Sequence, residues 1–482
     1  MQISRATVIK SFFWKFFERI GFQLMNFVVT IVLARLLLPE QYAAISLIMI
    51  FINICNVIID GGLNTALVQK KDSDDVDFST IFYISLVVAA LLYLLLYFTA
   101  PGIAAFYDMP HLVPVIRVLG VNLFFYVFNS IQRAYVSKHM LFDKLFYGSI
   151  SAVIVSGAIG IFLAYRGWGI WALVGQNLVS QVVGCLVLWF AIKWRPVLKF
   201  SVDRLKVLFD YGWKILGTNL ITVLFVEIRK MCIGKLYTPS SLAYYEKGEH
   251  FPNLVMSNIF ASVQSVMFPT FSKSQDDAAS VKNIMRRSTK MLCFVIYPLM
   301  VGMIFAAEPI VRLLLTEKWM PVADFIKIMS IANFFRPISI INWEAIKALG
   351  HSGITFKLEI VKKIIDVIIL LVSISYGVYA IAWGMVLYNF ICIFINLAPN
   401  VRLLGYRIRE QLLDVMPSLL ISLGMGVAIF GLKYVIEDDL LLILSQFFVG
   451  AVVYLFLSGI FKEESFMYLL DMVRKRKRGK IK

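Results

Sequence analysis

Long apolar runs separated by short polar breaks fill almost the whole chain. A helix needs about 20 apolar residues to cross a bilayer, and reading the runs by that length gives about fourteen spans. They fall at 11–36, 41–60, 79–100, 112–134, 145–165, 169–192, 208–234, 240–268, 289–307, 322–346, 354–375, 378–399, 412–433 and 440–460. The widest breaks, near 61–78, 193–207 and 269–288, are far shorter than the roughly 50 residues a folded soluble domain needs. The pattern predicts an all-α integral membrane protein.

Several runs carry polar residues where hydrocarbon penalises them. In the first span Lys15, Arg19, Gln23 and Asn26 recur at steps of three and four, which places them on one helix face. Glu18 lies beside them. A charge at the centre of a membrane helix costs about 2.5–3.5 kcal/mol on insertion scales, so such a stripe should face protein or water. Snorkelling of Lys15 and Arg19 to the headgroups is the simpler reading, but Gln23 and Asn26 carry the stripe deeper. Span two ends in Asp60-Gly61-Gly62, span four holds Arg117 and span eleven Asp366. Span seven carries Lys214, Glu227, Arg229 and Lys230. Span eight has Glu246, Lys247, Glu249 and His250 before Pro252, which is expected to interrupt the helix. Span ten contains Lys327, Arg336, Asn342 and Glu344.

Composition agrees: 60% of the 482 residues are hydrophobic and 16% are charged, with a mean hydropathy of +0.80. No cleavable signal peptide is read at the N-terminus. The formal charge of +17 concentrates in alternate breaks. Roughly 32 basic residues fall on one side against 6 on the other, which predicts that both termini are cytoplasmic. The basic C-terminal tail suits anionic lipid rather than nucleic acid. The five cysteines and four histidines lack metal-ligand spacing, so neither metal nor cofactor is expected.

A weak repeat runs through the chain. Ala34 to Ala43, with Pro39, matches Gly234 to Ala243, with Pro239; Arg133-Ala134 matches Lys347-Ala348, and Gly167 with Ala172 matches Gly377 with Ala382. Six spans per copy give the two copies the same orientation, as in transporters built from parallel repeats with a site between them. The expected organisation is two pseudo-symmetric six-helix lobes, 1–207 and 208–405, two further helices in 406–461, and a basic cytoplasmic tail, 462–482.

The intramembrane bases outnumber the acids, so the inferred cavity is positive and its occupant anionic. There is no GxxxxGK[ST], GxSxG or HExxH pattern, hence no ATPase of its own and no recognisable catalytic set. The outer breaks are too short for a membrane glycosyltransferase or polymerase site. Asp72, Asp74, Asp75 and Asp77 read as a solvated acidic loop.

The ordered set Ala34-Arg35-Leu36-Leu37 with Pro39, Ile59-Asp60-Gly61-Gly62-Leu63, Asp77-Phe78-Ser79-Thr80, Gly169-Ile170-Trp171-Ala172, Trp194-Arg195-Pro196, Phe268-Pro269 and Glu317-Lys318-Trp319 resembles a known family. It is that of the polysaccharide transporters, the Wzx-like O-antigen and exopolysaccharide flippases of the multidrug/oligosaccharidyl-lipid/polysaccharide (MOP) exporter superfamily. The resemblance implies fourteen helices around a central cavity in the bacterial inner membrane. It implies flipping of an undecaprenyl-diphosphate-linked oligosaccharide by alternating access, with a polysaccharide polymerase and export machinery as partners. A drug antiporter of the same superfamily and a peptidoglycan-precursor flippase are the alternatives. On the charge argument, Lys15, Arg19, Lys214 and Arg336 would contact the diphosphate, with Gln23, Asn26, Arg117 and Arg229 lining the cavity. Glu18, Glu246, Glu249 and Asp366 are the candidates for proton or sodium coupling, with plain ion pairing as the simpler role.

Overall fold

A computed structural model describes residues 5–274 and 277–477, and every regular element among them is a helix. Contacts divide the chain into Met1–Ala243 and Tyr244–Lys482. The first unit holds α1 (Arg5–Leu36), α2 (Pro39–Asp60), α3 (Leu63–Gln69), α4 (Asp75–Phe106), α5 (Leu112–Gly120), α6 (Asn122–His139), α7 (Phe142–Tyr165), α8 (Ile170–Ala191) and α9 (Val202–Leu236). Helix α10 (Pro239–Lys273) begins there and continues into the second unit. The second unit adds α11 (Ala278–Leu314), α12 (Pro321–Asn333), α13 (Arg336–Ala348), α14 (Ser352–Ser373), α15 (Val378–Leu404), α16 (Ile408–Gly431), α17 (Asp439–Ile460) and α18 (Glu464–Lys477).

Among the described residues, ten helical segments are long and apolar enough to cross a membrane, so the protein is a multi-pass membrane protein. The four other expected spans correspond to α9, α10, α12 with α13, and α14. Helix α9 carries Lys214, Glu227, Arg229 and Lys230, and α14 carries Lys357, Glu359, Lys362, Lys363 and Asp366. The stretch 322–346 is split into two helices of 13 residues each at Phe334-Phe335. Packing groups α9 with the first unit, whereas the expected division starts the second lobe at residue 208.

Pro252 does not interrupt α10, which runs unbroken through both Pro252 and Pro269. A proline displaces the carbonyl of the residue four before it, here Gly248. A Cβ on Gly248 would lie only 2.2 Å from Phe325 Cβ. Close packing on α12 therefore supports the helix at the turn that the proline weakens.

Of the acidic loop, Asp72, Asp74 and Asp75 are exposed as expected, but Asp77 is fully buried. Asp74 caps α4, accepting from the Val76 and Asp77 amides at 3.1 and 3.0 Å, as an N-cap carboxylate should. Asp77 accepts from the Asp74 amide (3.2 Å) and Lys70 (2.7 Å). Arg204, at the start of α9, donates to Asp74 and lies 3.4 Å from Asp77. Its guanidinium holds the Asp74 carboxyl below the usual carboxylate range. The next three residues dock the α8–α9 linker. Phe78 packs on Trp194 with ring centroids 5.9 Å apart. Ser79 Oγ accepts from Val197 N (2.9 Å) and Thr80 Oγ1 from Ser201 N (3.2 Å). Two motifs far apart in sequence, Asp77-Phe78-Ser79-Thr80 and Trp194-Arg195-Pro196, thus form one joint.

In the second unit the core gathers Met256 and Phe260 from α10, Met285, Ile296 and Met300 from α11, Ile341 from α13 and Leu397 from α15. A second cluster joins Phe294, Val301, Ile421, Met425 and Tyr454 across α11, α16 and α17.

Candidate functional site

At the end of α2 the chain turns through Gly61 (φ 55°) and Gly62 (φ 68°) into α3. A Cβ on Gly62 would lie 2.3 Å from the Gly212 carbonyl oxygen. Only glycine permits both the left-handed backbone and the approach of α9. The turn sets Asp60 and Asn64 side by side, Asn64 Nδ2 donating to Asp60 Oδ1. Lys138 donates to the carbonyls of Leu67 (3.5 Å), Val68 (3.4 Å) and Lys70. A cation at a helix C-terminus is favourable, and this one ties α3 to α6.

Opposite Asp60, α6 presents Tyr126, Ser130, Arg133 and Ser137 at steps of three and four, one face of a helix. Asn129 Nδ2 donates to Gln181 of α8, to Oε1 at 3.0 Å and to the backbone oxygen at 3.2 Å. Together Asp60, Asn64, Tyr126, Asn129, Arg133 and Gln181 line a cavity of about 550 Å³. Asn64 Oδ1 and Asn129 Oδ1 are buried without a hydrogen-bond partner among the described residues. Buried acceptors beside a roomy polar space need water or a polar ligand. Arg133 is exposed to the cavity and, among the described residues, pairs with no carboxylate. The chamber can therefore take hydroxyl-rich groups on its amides and tyrosine, and an anion at Arg133.

The second unit has a smaller cavity of about 210 Å³, lined by Arg336, Ser339, Trp343, Glu359, Lys362 and Asn389 among others. Arg336 donates to Asn253 and Asn333 at 3.0 Å each and stands over the Phe260 ring at 4.9 Å. Lys362 reaches Glu359 at 2.6 Å and stands 4.0 Å from the Trp343 ring centroid. The same unit holds a buried polar chain, in which Asn400 Oδ1 is left without a partner among the described residues. Asn400 Nδ2 donates to Asn342 Oδ1 (2.8 Å), and Asn342 Nδ2 to Gln411 Oε1 (2.9 Å). Gln411 Nε2 donates to the Tyr406 carbonyl (3.0 Å) and Tyr406 Oη to Asp414 Oδ2 (2.6 Å). Asp414 then meets Arg286 at 2.7 Å and Lys290 at 3.1 Å.

The residues expected to form one site are spread over both units. The Lys15 side chain lies outside the described residues. Glu18 accepts from Ser149 Oγ of α7 at 2.7 Å, on the α1 face where Trp14 packs on Phe146 at 5.3 Å. Arg19, Gln23 and Asn26 are turned about 100° from that face; Arg19 is exposed and the other two half-buried. Arg117 stands 4.2 Å over the Tyr97 ring of α4. On α9, Lys214 is exposed and Arg229 half-buried. Glu246 and Glu249 are half-buried on α10, and Asp366 is buried on α14. Arg336 lines the smaller cavity. Of the buried acids in the spans, Glu227 accepts from Asn53 of α2 at 3.0 Å and lies 3.1 Å from Lys230. Glu344 accepts from Gln264 (3.1 Å) and Lys347 (2.7 Å). The chamber residues Asn64, Tyr126, Asn129, Arg133 and Gln181 were missing from the expected set. Tyr126, Asn129 and Arg133 have a signal in the polar face of α6, whereas Asn64 on α3 and Gln181 on α8 join them only through packing.

Comparison with known proteins agrees with this architecture. The teichuronic acid biosynthesis protein TuaB of Bacillus subtilis (strain 168) is 25% identical over 422 residues, covering 83% of this chain and 84% of that protein. The lipopolysaccharide biosynthesis protein WzxC of Escherichia coli (strain K12) is 19% identical over 412 residues, with coverages of 83% and 84%. A solved structure of the lipid II flippase MurJ, in an inward closed conformation, superposes with a TM-score of 0.74 at 18% identity. It covers 95% of this chain and 99% of that one, so the fold is shared. Residues 32–324, more than half of the chain, match the family model described as polysaccharide biosynthesis protein, and the chain belongs to that family.

Proposed function

We propose that this protein moves an undecaprenyl-diphosphate-linked oligosaccharide across the bacterial cytoplasmic membrane, by alternating access, for polysaccharide synthesis. Membership of the family over residues 32–324 is the observation that carries this reading. The physical problem fits: sugars and a diphosphate cannot enter hydrocarbon unaided, and a chamber of amides with one arginine offers them a polar surface. In this reading the ten apolar segments and α9, α10, α12–α13 and α14 make fourteen spans, with both termini cytoplasmic.

A parallel six-span repeat, lobes 1–207 and 208–405 followed by helices in 406–461 and the tail 462–482, is part of the proposal. It is supported by recurring element limits. Helices α1 and α9 end at Leu36 and Leu236, and α2 and α10 begin at Pro39 and Pro239. Gly167 (φ 76°) and Gly377 (φ 101°) turn the chain just before α8 and α15. Arg133 is the proposed diphosphate contact of the first unit's chamber; Lys15, Arg19, Lys214 and Arg336 are each proposed to meet the diphosphate at some stage of its passage, and Gln23, Asn26 and Arg229 to line the path. A proton or sodium gradient would drive the cycle through carboxylates among Glu18, Asp60, Glu246, Glu249 and Asp366.

The test is export. Loss of the protein should leave lipid-linked oligosaccharide on the cytoplasmic leaflet, accessible to glycosidase in inside-out vesicles, and should remove the exported glycan. Unchanged glycan, with increased sensitivity to cationic drugs, would replace this reading by a drug antiporter. Normal export in alanine variants of Arg19, Arg133, Lys214 and Arg336 would sink the proposed site.

A further inference from the structure

Two cavities in the second unit share part of their lining. The first, about 570 Å³, lies between α10 and α11 and is lined chiefly by Ile259, Val263, Met267, Met291, Leu292 and Val295. The second, about 370 Å³, lies between α11 and α18 and is lined by Asn283, Arg286, Arg287, Lys290 and Tyr468 among others. An apolar space of a size that holds small ligands thus adjoins a basic one, with Arg287 and Met291 in the wall of both.

The charges at the basic end do not cancel. Asp414 takes Arg286 at 2.7 Å and Lys290 at 3.1 Å, and Glu464 takes Lys290 at 2.5 Å. Arg287 is held differently: its guanidinium lies 3.5 Å over the Tyr468 ring, and among the described residues it pairs with no carboxylate. Three bases against two acids leave one positive charge at Arg287. A stacked guanidinium keeps its planar fork of donors presented at the edge, which suits a phosphate.

Helix α18 sets the depth of this cluster. Phe466 packs against Phe294 of the cluster inside the unit, while Met467, Leu469 and Met472 are exposed. The helix ends in a run of Arg and Lys from Arg474. Exposed apolar residues followed by basic ones are the pattern of a helix lying in the headgroup plane. We propose that the adjoining cavities bind one anionic glycerophospholipid of the bilayer. Its phosphate sits at Arg287 and one acyl chain enters the α10–α11 cavity. The single net positive charge matches a single phosphodiester, and the apolar cavity is why the ligand is a lipid rather than a soluble phosphate. The bound lipid ties α18 and α10 to α11.

The test uses the full-length protein in neutral detergent, titrated with phosphatidylglycerol and with phosphatidylcholine, with bound lipid counted by native mass spectrometry. One phosphatidylglycerol should remain bound at about tenfold lower concentration than phosphatidylcholine, the factor expected for one charge-assisted contact. Arg287→Ala should abolish that preference, and Val263→Trp should block both lipids. If Arg287→Ala does not fold, Tyr468→Ala, which removes the ring beneath the guanidinium, carries the same expectation. Replacing Arg474, Lys475, Arg476 and Lys477 by Gln should leave the preference intact. Loss of preference in that tail variant, with none in Arg287→Ala, would overturn the site. So would displacement of phosphatidylglycerol by inorganic phosphate or, at equal concentration, by a polyprenyl diphosphate.

Discussion

In the first unit, Asn129 donates to Gln181 at the wall of a cavity, and its own oxygen is left without a hydrogen-bond partner among the described residues. In the second unit, Asn342 accepts from Asn400 and donates to Gln411 with no exposed surface. Both are asparagines within expected spans. One belongs to a hollow chamber and the other to a chain of side chains that consumes its hydrogen-bonding capacity. A polar residue in a membrane helix therefore marks a site only when the structure leaves it something to bind. Buried networks that satisfy their members rigidify a bundle instead. The chain from Asn400 to Asp414 joins α15, α13, α16 and α11, satisfying Asn342 and Gln411 and leaving Asn400 Oδ1 without a partner among the described residues.

The comparison can be broken at either end. The largest effect is expected at Asp414→Ala, which strips Lys290 and Arg286 of their shared carboxylate. Breaking a buried pair costs about 3 kcal/mol, so the melting temperature in detergent should fall steeply. A variant that melts like the parent would remove the stabilising role from the chain. Asn400→Leu should cost about 2 kcal/mol in the same assay, because Asn342 and its carbonyl lose a buried donor. Arg133→Ala sharpens the other side. It should reduce glycan export about tenfold, the loss of one charge-assisted contact, while leaving the melting temperature unchanged. Lost stability with unchanged export would make the chamber structural. Ser79→Ala should cost about 1 kcal/mol by leaving the Val197 amide without its acceptor, read as faster proteolysis of the α8–α9 linker. Arg117→Leu should matter least, about 0.5 kcal/mol for an exposed stacking contact, with export unaffected. A large export defect there would return Arg117 to the transport path.

Apolar length is a local property, so the helices, their approximate limits and the membrane class are legible in the residues alone. The glycine turn at Asp60-Gly61-Gly62 and the recurring Pro39 and Pro239 are also visible there, because backbone geometry restricts which residues can occupy such points. Pro252 misleads because the cost of a proline is offset by packing that sequence does not display, here Phe325 against Gly248. Asp77 misleads for the same reason: a carboxylate in an acidic run becomes buried only when Lys70 and Arg204 arrive from elsewhere. Arg133 and Arg117 look alike as isolated cations near membrane helices. Tertiary packing gave one a chamber and the other the Tyr97 ring, since which polar groups share a space depends on helices far apart in the chain.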